Sequence, residues 1–305
     1  FTSRGFIEGN PWQYTFYAPH DVQGIVNFLG KEEFLERLSW GFDASIESKF
    51  NATGDQYAKY PINHGNQPNM QAAFLFNYAG APWLTQHWTR EILDIYYGSS
   101  PTHGWPGDED EGQMGAWFVM SSMGLFQMQG GNATKPIFDL TSPLFEKTTI
   151  KLENGEELKI IAKNANAQNQ YIQSAKLNGK ELNQSWIYCA DIQYGGTLEF
   201  ELGEEPNKSW GLETLPPSIS KPGSWENTPS GLIISADKLR DEAQKKFLDP
   251  IMVTITSPYP EGKIRYTLDG ERPSATSETY KEPLNISSTS TVTACLFNEK
   301  GEEIS

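Results

Sequence analysis

Three short stretches of this 305-residue chain carry the residue types that acid–base chemistry on a polar substrate needs. The first is Gly5-Phe6-Ile7-Glu8-Gly9-Asn10-Pro11-Trp12-Gln13-Tyr14, where one carboxylate sits among aromatic rings and side-chain amides. Aromatic faces pack on the C–H faces of a pyranose and amides bond its hydroxyls. Desolvation beside Trp and Phe favours a neutral carboxyl, which suits Glu8 to donate a proton. The second stretch is His64-Gly65-Asn66-Gln67-Pro68-Asn69. Asn66 and Gln67 offer carbonyl oxygens to a hard cation such as Ca²⁺, or amides to sugar hydroxyls, although the same residues serve turns and helix caps. The third is Gly104-Trp105-Pro106-Gly107-Asp108-Glu109-Asp110-Glu111-Gly112-Gln113-Met114. Four consecutive acids before an apolar helix can simply complement its dipole. Here they stand in a Gly/Pro/Trp loop, and the Asp108/Asp110 alternation lets two carboxylates point one way. The spacing of an EF-hand is absent.

Two separated carboxylates among many Trp residues fit glycoside hydrolysis. One acid protonates the leaving oxygen. The other activates water if the gap is about 6.5–9.5 Å, or attacks directly if it is about 5–5.5 Å.

The elements that must position these residues change character along the chain. Up to about Gly131 the pattern is helical, and six of the nine Trp residues lie there. Apolar spacing predicts helices over Glu32–Ile46, Asn69–Tyr78, Pro82–Tyr97 and Gly112–Met123, the last closed by Gly124. The expectation is an α/α scaffold around a polar cleft. From Asn132 to about Glu213 the period becomes two. Thr149–Leu152 and Leu158–Ala162 flank Asn154-Gly155, which predicts a hairpin with a type I′ turn. Ile172–Leu177 before Asn178-Gly179 and Gly195–Leu202 continue the pattern, giving a β-sandwich. The Pro-rich stretch 214–249 reads as a linker or edge segment. From Pro250 to the end, three alternating blocks predict a small immunoglobulin- or fibronectin-like module. The expected domains are therefore 1–131, 132–213, 214–249 and 250–305.

Composition narrows the function. Lys and Arg number 24 against 39 Asp and Glu, a net charge of -15 that argues against a nucleic-acid or anionic-membrane partner. The longest near-apolar stretch, Ala116–Met128, is too short to span a bilayer. Cys189 and Cys295 read as small buried hydrophobes, and the four His residues form no zinc motif. Phe1-Thr2-Ser3-Arg4 carries neither an initiator Met nor a signal peptide and reads as an internal cut in a longer chain.

Five motifs in order carry a resemblance: Glu8-Gly9-Asn10-x-Trp12-Gln13-Tyr14; Gly65-Asn66-Gln67-Pro68; Pro106-Gly107-Asp108-Glu109-Asp110-Glu111-Gly112-Gln113-Met114-x-Ala116-Trp117; Ser142-Pro143-Leu144-Phe145; and Tyr171-Ile172-Gln173-x-Ala175-x-Leu177-Asn178-Gly179. Together, over about residues 1–211, they resemble the C-terminal half of the family 92 glycoside hydrolases. Those are exo-acting, calcium-dependent, inverting α-mannosidases with an N-terminal β-sandwich and an (α/α)6 barrel. The resemblance implies Glu8 as general acid and Asp110 as general base, with Asp108 assisting. It also implies calcium touching the mannose O2 and O3 near Gln67 and Asp110, and Trp12, Gln13, Asn66 and Trp105 lining the sugar site. Many members carry Glu where this chain has Gln67, which lowers the charge of the metal site. The family's N-terminal half has no counterpart here and is the expected partner, besides mannose-containing glycans. The tail from about Pro250, through Tyr266-Thr267-Leu268-Asp269-Gly270, Pro273 and Tyr280, resembles the C-terminal module of chitobiase and hexosaminidase-type enzymes. It implies a spacer or binding module. The implied setting is a secreted or periplasmic bacterial enzyme. A non-hydrolytic carbohydrate-binding protein is the alternative, and a tail serving adhesion is a third reading.

Overall fold

The computed structural model describes residues 5–52, 59–102, 104–107, 109–129, 133, 135–220, 232–238, 247, 249–257 and 261–303. The chain divides into two compact units, residues 1–131 with 135–227, and residues 132–134 with 228–305. It is a mixed α and β protein with several sheets.

Among the described residues the first unit begins with six α-helices: α1 (Pro11–Thr15), α2 (Val22–Leu29), α3 (Lys31–Ser45), α4 (Leu75–Tyr78), α5 (Pro82–Ile95) and α6 (Gln113–Ser122). In α3 the stripe Phe34, Leu38 and Phe42, spaced four apart, is fully buried. Its other face carries the exposed Glu33–Arg37 pair, worth only a few tenths of a kcal/mol. Pro82 at the first turn of α5 supplies a preset φ where no amide is needed. The Phe42 ring stacks on Trp88 of α5, with centroids 4.8 Å apart. Burying a ring of this size stabilises by about 2–3 kcal/mol, so this stack ties α3 to α5. Ser45 closes α3 and carries the packing into the next loop, because Ile62 N–H donates to its Oγ at 2.9 Å.

Two short helices escape the periodicity. Both α1 and α2 start on a side-chain cap, Asn10 accepting from Gln13 N–H and Asp21 from Gly24 N–H. The helix expected over Asn69–Tyr78 is instead two 3-10 turns, Gln67–Asn69 and Ala72–Phe74, running into α4. Every residue from Asn69 to Pro82 is buried. The segment has no polar face to hold a regular helix at a surface, and its 3-10 turns follow the space available.

Eight strands follow: β1 (Leu125–Phe126), β2 (Ile137–Leu140), β3 (Lys147–Lys151), β4 (Glu157–Lys163), β5 (Tyr171–Leu177), β6 (Lys180–Glu181), β7 (Trp186–Tyr188) and β8 (Gly196–Gly203). They form sheets of order β1-β2-β7 and β3-β4-β8-β5-β6, with β4 and β8 parallel. Leu125, Leu140 and Ile187 of the first sheet share one apolar cluster with Ile160, Ile172, Leu198 and Phe200 of the second. The hairpin β3–β4 forms as expected, but its turn is not type I′. Only Gly155 has positive φ there, and Gly155 N–H donates to Leu152 O within a five-residue loop. The type I′ signature falls on Asn178-Gly179, with φ of 50° and 78° between the paired Leu177 and Lys180. Residues 215–220, inside the stretch read as a linker, dock on the first unit. Pro216, Pro217 and Ser218 are buried, and Gln23 N–H at the start of α2 donates to Ser218 Oγ. Lys221-Pro222-Gly223 and Thr228-Pro229 lie outside the described residues.

The second unit holds β9 (Ile233–Ala236), β10 (Ile251–Thr256), β11 (Lys263–Thr267), β12 (Glu278–Thr279), β13 (Leu284–Ile286) and β14 (Thr293–Phe297). They form sheets of order β13-β10-β9 and β12-β11-β14 around Ile251, Val253, Ile255 and Tyr266. Among the described residues no helix is long and apolar enough to cross a membrane.

Helices and strands of the first unit are joined by a buried polar knot. Asp139 of β2 is fully buried and accepts from Asn77 Nδ2 at 3.2 Å and Tyr78 Oη at 3.4 Å, both on α4. Burial pushes its carboxyl up to about 7, against the pull of those two donors. A carboxyl raised in the folded state contributes stability that is complete below about pH 4 and is lost as pH rises through about 7. Asp139→Asn is therefore expected to match the wild type near pH 4. It should then gain on it by up to a few kcal/mol by pH 8, read from paired urea unfolding curves. A constant difference across that range would mean that Asp139 does not titrate there.

Candidate active site

Three loops converge at the end of the helical region, and buried amides hold them where no sheet does. Asn10 Nδ2 and Gln13 Nε2 both donate to Tyr60 O, at 3.0 and 2.9 Å, which ties the first loop to the second. Asn63 pairs with the backbone of Ala52 through both its carbonyl and its amide. Asn69 accepts from Asn63 N–H at 2.8 Å and donates to Gln13 O at 2.9 Å. All of these side chains are at most 2% exposed, where an unpaired amide would be costly.

The third loop is fastened by the end of α5. Tyr96 Oη donates to Pro106 O, and Tyr97 Oη donates to Met114 O at 3.0 Å. Gly107, at φ 89°, then lies directly on Gly65. A Cβ on Gly107 would come 2.5 Å from Tyr96 Oη and 2.9 Å from Gly65 Cα. Glycine is required here on both counts. Gly107→Ala is expected to cost at least about 2 kcal/mol, measured as a lower urea midpoint. An unchanged midpoint would show that the two loops do not touch.

His64 stands behind this contact. It is fully buried, edge-on to Trp117 with centroids 4.3 Å apart, and its Nε2 lies 3.0 Å from Tyr97 Oη. Since the tyrosine gives its proton to Met114 O, Nε2–H is the donor and the ring is neutral. Desolvation holds His64 down at about 3 and pushes the Tyr97 phenol up. The stability contributed by neutral His64 is present above about pH 6.5 and is lost as pH falls toward 3. That is opposite in sign to Asp139.

The residues expected to do chemistry meet across Asn66 and Gln67. Asn66 Nδ2 donates to Glu8 O at 2.6 Å, and Gln67 Nε2 donates to Asp110 Oδ2 at 2.5 Å. Glu8 has φ 54° and Asp110 φ 41°, so each candidate sits on a left-handed backbone that turns its side chain out of a regular element. Both are exposed, and the burial expected for Glu8 beside Trp12 and Phe6 is not supplied by these residues. Trp12 is half-buried and tilts against the exposed Trp40 of α3 at 4.9 Å. Trp105 is exposed, 6.0 Å from the Tyr97 ring. Gln13 faces inward, and its amide is spent on Tyr60. Asp108 lies outside the described residues. Beside Gln67 opens a cavity of about 480 Å³, lined by Gln67, Gln113, Met70, Trp117, Phe126 and Phe138 among others. Room for a ligand therefore adjoins the Gln67–Asp110 contact.

At this junction Gln67 turns its amide nitrogen, not its carbonyl, toward Asp110. The Gln67 carbonyl and the Asp110 carboxylate suit a hard cation in kind, but no cluster of three His, Cys, Asp or Glu side chains able to hold a metal occurs among the described residues. The positioning roles of Asn10, Asn63, Asn69, His64 and Tyr96 were not read from sequence. Their only signal was the density of Asn and Gln in loops flanked by aromatic residues.

Residues 2–204 match the glycosyl hydrolase family 92 catalytic domain, and residues 242–305 match the chitobiase/β-hexosaminidase C-terminal domain. An uncharacterized secreted glycosidase of Arthroderma benhamiae is 34% identical over 71% of this chain and 26% of its own length. The structure of a family GH92 α-mannosidase from Bacteroides thetaiotaomicron superposes with a TM-score of 0.62 at 35% identity, over 72% of this chain and 28% of that one. A family GH92 inverting mannosidase of the same organism gives 0.60 at 32% identity, over 71% and 30%. The chain thus spans between a quarter and a third of the length of these relatives. It belongs to glycosyl hydrolase family 92.

Proposed function

We propose, from that membership, that these residues form part of an exo-acting, inverting α-mannosidase that removes terminal α-linked mannose from glycans outside the cytoplasm. The observation that carries the reading is the bridge at Asn66-Gln67, whose consecutive amides hold the backbone of Glu8 and the carboxylate of Asp110. Glu8 is the general acid that gives its proton to the glycosidic oxygen as the C1–O bond breaks. Asp110 is the general base that takes a proton from water while that water's oxygen bonds to C1 from the opposite face. Asp108 assists it. Configuration at C1 inverts, and β-mannose is released. Trp12, Gln13, Asn66 and Trp105 complete the sugar site, with Gln13 acting through the loop it fastens to Tyr60.

Gln67 and Asp110 would hold calcium through oxygen, consistent with the hard-donor character of the junction. Calcium supplies positive charge near the sugar hydroxyls when bound.

In this reading the helices of residues 1–131 are the later part of an (α/α)6 barrel. Residues 132–213 are its β-sandwich and 250–305 a fibronectin-like module, joined through 214–249. The remaining length of the family enzyme lies N-terminal and shapes the rest of the cleft. The mannosidases among the structural neighbours and the secreted relative support the substrate class and the setting.

The test is time-resolved proton NMR of the full-length protein with α-linked mannobioses. β-Mannose should appear first, and chelation should abolish it. Glu8→Gln and Asp110→Asn should each lower turnover by about 10²–10⁴-fold with folding intact. α-Mannose appearing first, or unchanged turnover in both variants, would sink the assignment.

A further inference from the structure

The acid loop reverses through three consecutive residues of positive φ: Asp110 at 41°, Glu111 at 64° and Gly112 at 92°. Only the glycine adopts such a backbone without penalty, so the two acids stay there because their surroundings hold them. Gly112 is also the N-cap of α6 and has no side chain to satisfy the first amides of that helix. Glu109 fills the gap from outside. Gly115 N–H donates to its Oε1 at 3.2 Å, and Gln113 N–H donates to its backbone oxygen at 3.1 Å. The Trp105 ring closes over the same spot, since a Cβ on Gly115 would meet Glu109 Oε1 at 3.4 Å and Trp105 Cη2 at 3.7 Å.

The second carboxylate oxygen of Glu109, Oε2, is buried without a hydrogen-bond partner. Such an atom is destabilising by itself, so local folding energy does not account for the choice of Glu. The next residue in the chain is Asp110, whose Oδ2 accepts a hydrogen bond from Gln67 Nε2. The pin on α6 and the hook on Gln67 are thus adjacent, and the strained reversal begins between them.

We propose that Glu109 is a positioning residue for the hydrolytic reaction: by fastening the start of α6 through Oε1 it holds the left-handed run and presents the Asp110 carboxylate to Gln67. This rests on the reading of Asp110 as general base. The role requires reach, not charge. Gln retains a carbonyl oxygen at the same distance, whereas Asp retains the charge and falls one methylene short of Gly115.

The experiment compares wild type, Glu109→Gln, Glu109→Asp and Glu109→Ala in the full-length protein by two readouts. In hydrogen-exchange mass spectrometry, peptides covering 105–116 should exchange about tenfold faster or more in the Asp and Ala variants. In the Gln variant they should stay within about threefold of wild type. On α-mannobiose, kcat should fall about 10–100-fold in the Asp and Ala variants with KM within about threefold, and the Gln variant should retain kcat to within about threefold. The proposal is overturned by unchanged exchange in both short variants, or by fast exchange with unchanged kcat. A Gln variant as impaired as Ala would also overturn it, because charge would then be the requirement. A wild-type protein without mannosidase activity would remove the functional reading alone, and the exchange contrast would still decide the pin. Should the Ala variant not fold, the Asp–Gln contrast decides both.

Discussion

Two backbones touching at Gly65 and Gly107 set the dimensions of everything around them. With no Cβ on either side, the acid loop lies against the amide loop. A side chain as short as Gln67 then reaches Asp110 without a water between them. The rest of the helical region serves that contact. The stack of Phe42 on Trp88 ties α3 to α5, the end of α5 delivers Tyr96, and its hydroxyl clamps the carbonyl just before Gly107. A packed core transmits position because it has no slack, so a ring more than one helix away takes part in placing a carboxylate.

The loops themselves are built from neutral amides. Around the candidate acid and base, buried Asn10, Gln13, Asn63 and Asn69 hold backbone through their side-chain amides. An amide donates and accepts at once and so satisfies two loops with one side chain. It also adds no charge beside the candidate acid and base. The neutral His64 follows the same logic, since a protonated imidazole beside Gly65 would favour ionisation of every nearby acid.

Much of this was legible in advance, and the exceptions share a cause. Helices α3 and α5 have one wet and one dry face, so periodicity finds them within a residue or two, whereas α6 is apolar nearly throughout and is marked by Gly112 and Gly124 at its ends. The segment Asn69–Tyr78 is dry all round, and periodicity carries no information there. Asn-Gly occurs twice with the same local sequence signal. Only Asn178-Gly179 joins strands paired directly across two residues, a property of register rather than of the dipeptide. Gln13 has the chemistry of a sugar-binding amide, but residue type does not say which way a side chain faces, and this one faces Tyr60. Likewise a run of four acids does not reveal that its second member turns inward onto a helix. Asp139 sits within Ile137-Phe138-Asp139-Leu140, which reads as an ordinary strand. Its burial is visible only once α4 lies across it.

Asn66 and Gln67 are consecutive, so the span between the two candidate carboxyl-bearing loops is measured by a single peptide unit. Point substitutions that keep an amide or a carbonyl can drift at these positions. The number of residues between them has no such freedom. One inserted residue would add about 3.8 Å and unhook one loop or the other. Among descendants of this chain, variation in this stretch should therefore run through changes of residue type at constant length, and insertions and deletions should gather outside the pair.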